Sequence, residues 1–361
     1  MIFKKLELSN YRNLENEVLE FDSGMNIIFG PNAQGKTNIL ESLWLFTGAK
    51  SFRGSKDSEL IKFDCPKARL KLDFFDDGRD QECVIEIEKS RTAILNGVDQ
   101  GAASGIAGKI YAIVFSPNDL NIVKDGPVNR RKFMDTCLCQ LYPKYISISR
   151  RYLKALDQRN SILKNLKFNP NMEEFIEDFE NELANTGSEI IGYRKKYIES
   201  INKYLPEIYN GLSDGKEKIS AEYETTASDN KDVFLNSLKS SRKEDMQSLS
   251  TSVGPHRDDL GFYFDGMDVR KYGSQGQQRC SSLSLKLSEI ELVKSTTGDT
   301  PILLLDDVLS ELDKNRQNYL LNHIHDIQAM ITCTGLDEFV NCRFSIDKIF
   351  KVTDGTVVSE N

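Results

Sequence analysis

The chain has 361 residues and a formal net charge of −8, enough length for one large α/β domain or two smaller lobes around a substantial core. The negative balance excludes a polybasic protein that coats nucleic acid by bulk attraction, so any DNA binding must be local or assembled. Nothing approaches the roughly 20 apolar residues of a membrane span, the opening MIFKKLELSN lacks a signal-peptide core, and the seven scattered cysteines suit reduced thiols; a cytoplasmic chain with no membrane partner is expected.

The first hundred residues alternate like strands in "FKKLELSNY", "ARLKLDFF", "ECVIEIEK" and "TAILNG", and Asp77-Gly78 and Asn96-Gly97 are hairpin dipeptides between or after these runs. An antiparallel sheet is therefore expected beside the buried strand Met25 to Phe29. That strand runs into "GPNAQGKT", where Gly30, Gly35, Lys36 and Thr37 satisfy G-x-x-x-x-G-K-[ST]. Apolar residues at helical spacing follow it, from Ile39 to Phe46. A chance glycine turn is the plain alternative, but strand, loop and helix are all in place. In that context backbone N–H groups wrap a triphosphate, Lys36 reaches the β/γ-phosphates and the Thr37 hydroxyl ligates Mg²⁺.

From about Pro127 to Pro206 the texture changes to long charged helices. Tyr145, Ile148, Tyr152, Leu156 and Leu163 form one apolar stripe; Phe175, Phe179, Leu183, Ile190, Tyr193, Tyr197 and Ile201 form another, so an arm or small bundle is expected. Cys137 and Cys139 are two apart on a predicted helix and point apart, so no cysteine metal site is expected. Arg130, Arg131 and Lys132, then Arg150, Arg151, Lys154 and Arg159, then Arg194, Lys195 and Lys196 are basic clusters. Each reads either as a solvated helix face or as a contact to DNA phosphates. No recognition-helix motif suggests sequence preference. Residues 213–250, rich in Ser, Lys, Glu and Asp, read as solvent-facing connections.

The last third returns to α/β. "PILLLDD" is a strand buried on both faces, and "AMITC" its neighbour after a helix. The nucleotide-binding sheet is thus expected to be split around the helical insertion. Asp306 and Asp307 end the first strand on the crevice side, where one carboxylate can hold Mg²⁺ and the next can orient water. An acidic loop is the alternative. Upstream, Ser274 in "YGSQGQQR" can cap a helix whose buried face includes Leu283, Leu287 and Ile290. Ser274, Gly276 and Gln277 also resemble the signature of ATP-binding-cassette proteins.

With "LSNYRNL", "GPNAQGKTNILES", "SFR", "VFSPNDL", "GPVNRRKFMD", "VGPHRDDL", "SQGQQR" and "LLLDDVLSELD", the chain resembles, over essentially its full length, the RecF family of bacterial recombination and gap-repair ATPases. That family is related to the heads of structural-maintenance-of-chromosomes proteins. The resemblance implies a cassette-type ATPase head with a mixed sheet, residues 1–115 and 290–361, plus a helical lobe, residues 116–289, with the signature near 272–280. It implies ATP with Mg²⁺, an ATP-dependent head-to-tail homodimer, DNA near single-strand/double-strand junctions, and cooperation with RecR and RecO in loading recombinase. Gly30, Pro31, Asn32, Ala33, Gln34, Gly35, Lys36 and Thr37 would hold the nucleotide, and Thr37 and Asp306 the metal. Lys36, Asp306 and Asp307 are the implied catalytic set, with Asp307 where most cassette ATPases have glutamate. Ser274, Gly276 and Gln277 would close the partner's site, and Ser310 to Asp313 would contact the facing protomer.

Arg12 and Arg53 read equally as nucleotide contacts or as surface salt bridges. Arg257 reads as an internal ion pair with its flanking acids or as an interface residue, and His256 as structural. Thr332 and Thr334 stand where a histidine is common. A membrane-transporter subunit or a chromosome-structural ATPase shares the three motifs and remains the alternative.

Overall fold

The computed structural model describes residues 1–166, 168–213, 217–336 and 346–360. It divides into two compact units: Met1–Asn121 with Gly211–Asp214 and Lys286–Asn361, and Ile122–Asn210 with Gly215–Leu285.

The first unit opens with β1 (Ile2–Tyr11), β2 (Leu14–Glu20) and β3 (Met25–Phe29), then α1 (Lys36–Leu45). Next come β4 (Ala68–Asp76), β5 (Arg79–Ile87), β6 (Arg91–Leu95), β7 (Val98–Ala102) and β8 (Ala112–Phe115). An antiparallel sheet runs in the order β2-β1-β4-β5-β6-β7. A register shift between Phe3 and Lys5 lets Phe3 bury beside Leu6 and Leu8 despite the odd spacing. Both expected hairpin dipeptides are there: φ is 51° and 72° at Asp77-Gly78 and 50° and 78° at Asn96-Gly97, the double positive φ of a tight hairpin turn.

Helices α2 (Pro127–Leu141), α3 (Pro143–Asn165), α4 (Ile176–Ile201) and α5 (Leu205–Leu212) follow, then β9 (Ile219–Glu224), α6 (Lys231–Ser248), β10 (Asp259–Phe264), β11 (Met267–Asp268), α7 (Val269–Tyr272) and α8 (Gln275–Thr297). The chain returns to the first unit with β12 (Ile302–Asp306), α9 (Lys314–His323), β13 (Ala329–Cys333), β14 (Lys348–Thr353) and β15 (Thr356–Glu360). The second sheet runs β15-β14-β3-β13-β12-β8, parallel except at its β15 edge. It takes β3 and β8 from before the insertion and the rest from after it, as expected. Every residue of β8, β12 and β13 is buried, which is why these strands are continuously apolar. Helix α1 is buried nearly all round, polar Glu41 and Ser42 included. Its apolar residues share one core with both sheets.

In the second unit all five residues of the first predicted stripe are buried on α3. The second stripe lies on α4 from Phe179 onward, but Phe175 falls outside the helix and is 50% exposed. Residues 213–250 correct the sequence reading: β9 pairs with β10, and α6 buries Phe234, Leu238 and Asp245. Arg159 explains why this was hidden. The side chain is fully buried, 3.0 Å from Glu180 on α4 and 2.7 Å from Asp245 on α6, and it donates to Thr251 Oγ1 at 2.9 Å. Arg242 closes the cluster on Glu180 at 2.6 Å. The inner face of α6 is apolar only in its first half, at Phe234 and Leu238, and passes to the buried Asp245 of the ion network in its second, so the hydrophobic period is too short to mark the helix.

The "GPHRDDL" segment is a second polar junction. Asp259 takes Arg130 at 2.6 Å; Asp258 accepts from the Tyr223 hydroxyl, and Arg194 reaches the Pro255 carbonyl and Asp135. Arg257 donates instead to the Thr251 carbonyl, at 3.0 Å, so its expected ion pair with the adjacent acids is not formed. His256 is structural, as expected. Its Nδ1 is 2.6 Å from the Tyr152 hydroxyl and its Nε2 3.0 Å from the Thr251 carbonyl. A neutral ring with its hydrogen on Nε2 satisfies both partners.

Burial pushes the His256 pKa down to about 4, opposed by the bond to Thr251 and helped by Arg257 and Arg131. An unfolded histidine protonates near pH 6.5, so stability present above that value is lost as pH falls towards 4, at no more than about 1.4 kcal/mol per unit. Urea titrations at pH 7, 6 and 5 should show this slope flattened in His256→Gln. An equal slope in both proteins would contradict it.

Candidate nucleotide site

The phosphate loop springs from β3, flanked in the sheet by β13 and β14. Gly30 has φ 150° and Gly35 φ 117°, regions that favour glycine. A Cβ on Gly30 would lie 2.3 Å from the Val352 carbonyl oxygen, and one on Gly35 2.9 Å from Asn13 Oδ1. The loop is clipped from behind: Asn13 Nδ2 donates to the Gln34 carbonyl at 2.9 Å, Gly355 N–H to the same oxygen at 3.2 Å, and Asp354 N–H to Gln34 Oε1. These clips were not foreseen. Asp354-Gly355 is a hairpin dipeptide and could have announced its half of them; Asn13 carries no sequence signal. Pro31, Asn32 and Ala33 form the exposed crest.

Lys36 is 8% exposed, and its ammonium donates to the Gly30 and Pro31 carbonyls at 2.6 and 2.8 Å. Burial lowers its pKa, while Asp307 and Asp306 pull it back. Thr37 Oγ1 donates to Asp306 Oδ1 at 2.7 Å, across 269 positions of sequence. The expected pair of metal ligands is therefore brought together. Cis ligands of an octahedral Mg²⁺ at 2.0–2.1 Å lie about 2.9 Å apart, so the pair fits that ion. Among the described residues no group of three His, Cys, Asp or Glu could hold a metal alone. The remaining ligands would be phosphate oxygens and water.

Thr332 sets the geometry of the carboxylates. Its hydroxyl is 3.0 Å from Asp306 Oδ1 and accepts the Asp307 N–H at 2.9 Å. Of the two threonines at the usual histidine's place, Thr332 is buried in this role and Thr334 is exposed. Asp307 has φ 52°, in the left-handed region, directly after β12 ends at Asp306. One of its carboxylate oxygens, Oδ1, is buried without a partner. Burial raises the Asp307 pKa, with Lys36 opposing and Asp306 adding to the rise.

Arg12 and Arg53, each open between a nucleotide contact and a surface salt bridge, both turn towards α1. Arg12 forms a bidentate pair with Glu41, at 2.8 and 2.9 Å, and reaches Ser55 at 2.7 Å. Because Glu41 has no exposure, this is a buried pair, which corrects the surface-bridge alternative for Arg12. Arg53 bonds Asn38 at 2.8 Å and stands 4.0 Å from Glu41. Of the basic clusters, Arg130, Arg159 and Arg194 are buried in the ion pairs above and cannot contact DNA. Arg151 and Lys195 pair with Glu182 and Asp229, while Lys132, Lys154 and Lys196 are exposed.

Ser274, Gly276 and Gln277 open α8 in the second unit. Ser274 N–H donates to Gln277 Oε1 at 2.7 Å, and Gln277 N–H to Ser274 Oγ at 3.3 Å, a capping box. Gln277 Nε2 donates to Glu217 at 2.8 Å. Ser274 itself is exposed. Within 310–313, Asp313 caps α9 through the Asn315 and Arg316 N–H groups, and Ser310 and Glu311 are exposed.

Fold and site together define a phosphate-loop ATPase head of the kind found in structural-maintenance-of-chromosomes proteins. The chain belongs to the RecF/RecN/SMC N terminal domain family, whose model matches residues 2–357. Curated relatives include the DNA replication and repair protein RecF of Lachnoclostridium phytofermentans, 47% identical over 99% of both chains. That of Clostridium perfringens is 40% identical over 99% of both. A solved structure of the recombination mediator protein RecF-ATPrS in the RecFOR pathway aligns with TM-score 0.92 at 36% identity, covering 99% of this chain and 98% of that one. The Smc head domain of Pyrococcus furiosus aligns at 0.56 and 18% identity, which shows the shared fold alone. These relatives favour DNA replication and repair over a transporter subunit. Among the described residues no helix is long and apolar enough to cross a membrane.

Proposed function

We propose that this chain is an ATP-gated DNA clamp of recombinational and gap repair. It dimerises head to tail on ATP, holds DNA near single-strand/double-strand junctions with little sequence preference, acts in the cytoplasm, and helps RecR and RecO load recombinase. The observation that carries it is the convergence of Lys36, the Thr37–Asp306 pair and the unpartnered Asp307 oxygen on one loop.

In this reading the Lys36 ammonium leaves two loop carbonyls for the phosphates, which the backbone N–H groups of such a loop also bind. Mg²⁺, when bound, neutralises charge on the triphosphate. Asp306 is held by Thr37 and Thr332, so its carboxylate needs no reorganisation to serve as a ligand. Asp307 offers its free oxygen to the attacking water's proton. It is one methylene shorter than glutamate, so hydrolysis is slow and serves as a switch. Ser274 Oγ already accepts a bond from its own helix, which leaves its hydrogen for the partner's γ-phosphate beside the Gly276 N–H.

Each monomer is acidic overall, so DNA affinity arises when two copies bring exposed cations such as Lys132, Lys154 and Lys196 to one duplex. Filter retention of a gapped duplex tests this: ATP with Mg²⁺ should raise retention well above that without nucleotide. Equal retention in both conditions would remove the gate.

A further inference from the structure

Phe63 is 94% exposed, and the backbone holds it out rather than letting it drift. Arg12 N–H donates to the Leu60 carbonyl and Lys62 N–H to the Asn10 carbonyl, both at 2.9 Å, and Ile61 bridges Tyr11. These bonds pin the segment to the end of β1, with Leu60 fully buried as its anchor. Cys65 N–H then closes a turn on the Lys62 carbonyl at 3.1 Å, with Asp64 in the left-handed region at φ 60°. Phe63 is the second residue of that fixed turn, so its ring stands in water on a rigid base.

Its surroundings run against the charge of the whole molecule. Residues 50–69 carry six basic side chains against three acidic, in a chain of net charge −8. Lys50, Lys56 and Lys67 are exposed, and none has an acidic partner among the described residues. Lys62 pairs with Glu15 at 2.5 Å, Arg53 stands 4.0 Å from Glu41 and Asp57 pairs with Arg91 at 2.8 Å, which leaves Lys50, Lys56, Lys67 and Arg69 against Glu59 and Asp64. An exposed ring on a hydrogen-bonded turn, in a stretch of chain that carries exposed cations, is the combination that binds single-stranded nucleic acid, with a base stacked on the ring and phosphates on the cations.

We propose that the Phe63 turn is a contact for single-stranded nucleic acid, with a base stacked on Phe63 and the flanking phosphates met by Lys50, Lys56 and Lys67. It rests on the DNA-binding reading above and assigns the single-strand side of the junction to this turn of the first unit. The sequence preference is low because every base has a face to stack.

The chain has one tryptophan, Trp44, which is 4% exposed, so a tryptophan introduced at 63 reports the turn by its emission. Phe63→Trp should be quenched on adding oligo(dT) with ATP and Mg²⁺, while the native protein's emission stays nearly constant. Phe63→Ala should lose roughly 5- to 100-fold in oligo(dT) affinity with duplex affinity unchanged. Oligo(dT) bound without quenching, or bound equally by Phe63→Ala, overturns the stacking site and leaves the clamp reading standing. Quenching by ATP alone, before DNA is added, overturns it in favour of a contact between copies of the chain. A native protein that binds neither oligo(dT) nor duplex in the presence of ATP overturns both readings.

Discussion

Lys36→Ala should abolish ATP-stimulated DNA retention while leaving the fold intact. The ammonium is buried and, among the described residues, bonds only to two loop carbonyls, and its pKa is lowered chiefly by burial. The fold therefore holds this charge at a cost, and a phosphate is the partner that offsets it. Removing it should weaken ATP binding by about 2–5 kcal/mol, the usual loss for one partner of a buried charge pair, or roughly 30- to 5,000-fold. Thermal stability should change little, since the freed carbonyls can bond water. Retention undiminished in the variant would separate DNA binding from the nucleotide and contradict the coupling.

Arg159→Met should produce the largest loss of stability. The guanidinium ties α3 to Glu180 of α4 and Asp245 of α6, and all three side chains have no exposure. Deleting it leaves Asp245 charged and buried with only the Ser252 N–H and Ser241 hydroxyl as partners. Breaking a buried pair in this way costs about 3–5 kcal/mol. Arg242→Met, at the half-open edge of the same cluster, should cost clearly less because Glu180 keeps Arg159. Denaturant unfolding followed by far-ultraviolet circular dichroism measures both. A loss below about 1 kcal/mol for Arg159→Met would mean that packing alone joins the three helices.

These two sites show what a sequence exposes and what it hides. The phosphate loop was legible because its chemistry requires particular residues at fixed spacing between a buried strand and a helix. The Asp306-Asp307 pair was legible because it ends an uninterrupted apolar strand. The capped start of α8 could be read from Ser274 and Gln277. Arg159 was not legible as a core residue: arginine is rarely buried, and only its distant partners Glu180 and Asp245 make the burial affordable. The same reason leaves Arg130 and Arg194 reading as a solvated helix face or as DNA contacts, when Asp259 and Asp135 hold them inside. Helix α6 is hard to see in the sequence because Phe234 and Leu238 are its only fully buried apolar residues among those described and the rest of its inner face is the charged Asp245. Arg12 was ambiguous because its partner, Glu41, lies on a helix that sequence alone would place half in water; only the layering of both sheets around α1 buries it.

In the proposed clamp, one copy's nucleotide is closed by the signature serine of another. Sedimentation velocity with Mg²⁺, with and without ATP, on the native chain and on Ser274→Arg tests it most directly. A native dimer is expected only with ATP, and the variant should bind ATP but stay monomeric: Ser274 is exposed, and losing its cap bond from the Gln277 N–H costs only about 1 kcal/mol. A native chain that binds ATP yet remains monomeric across concentration, or a variant that dimerises as well as the native chain, would contradict closure in trans.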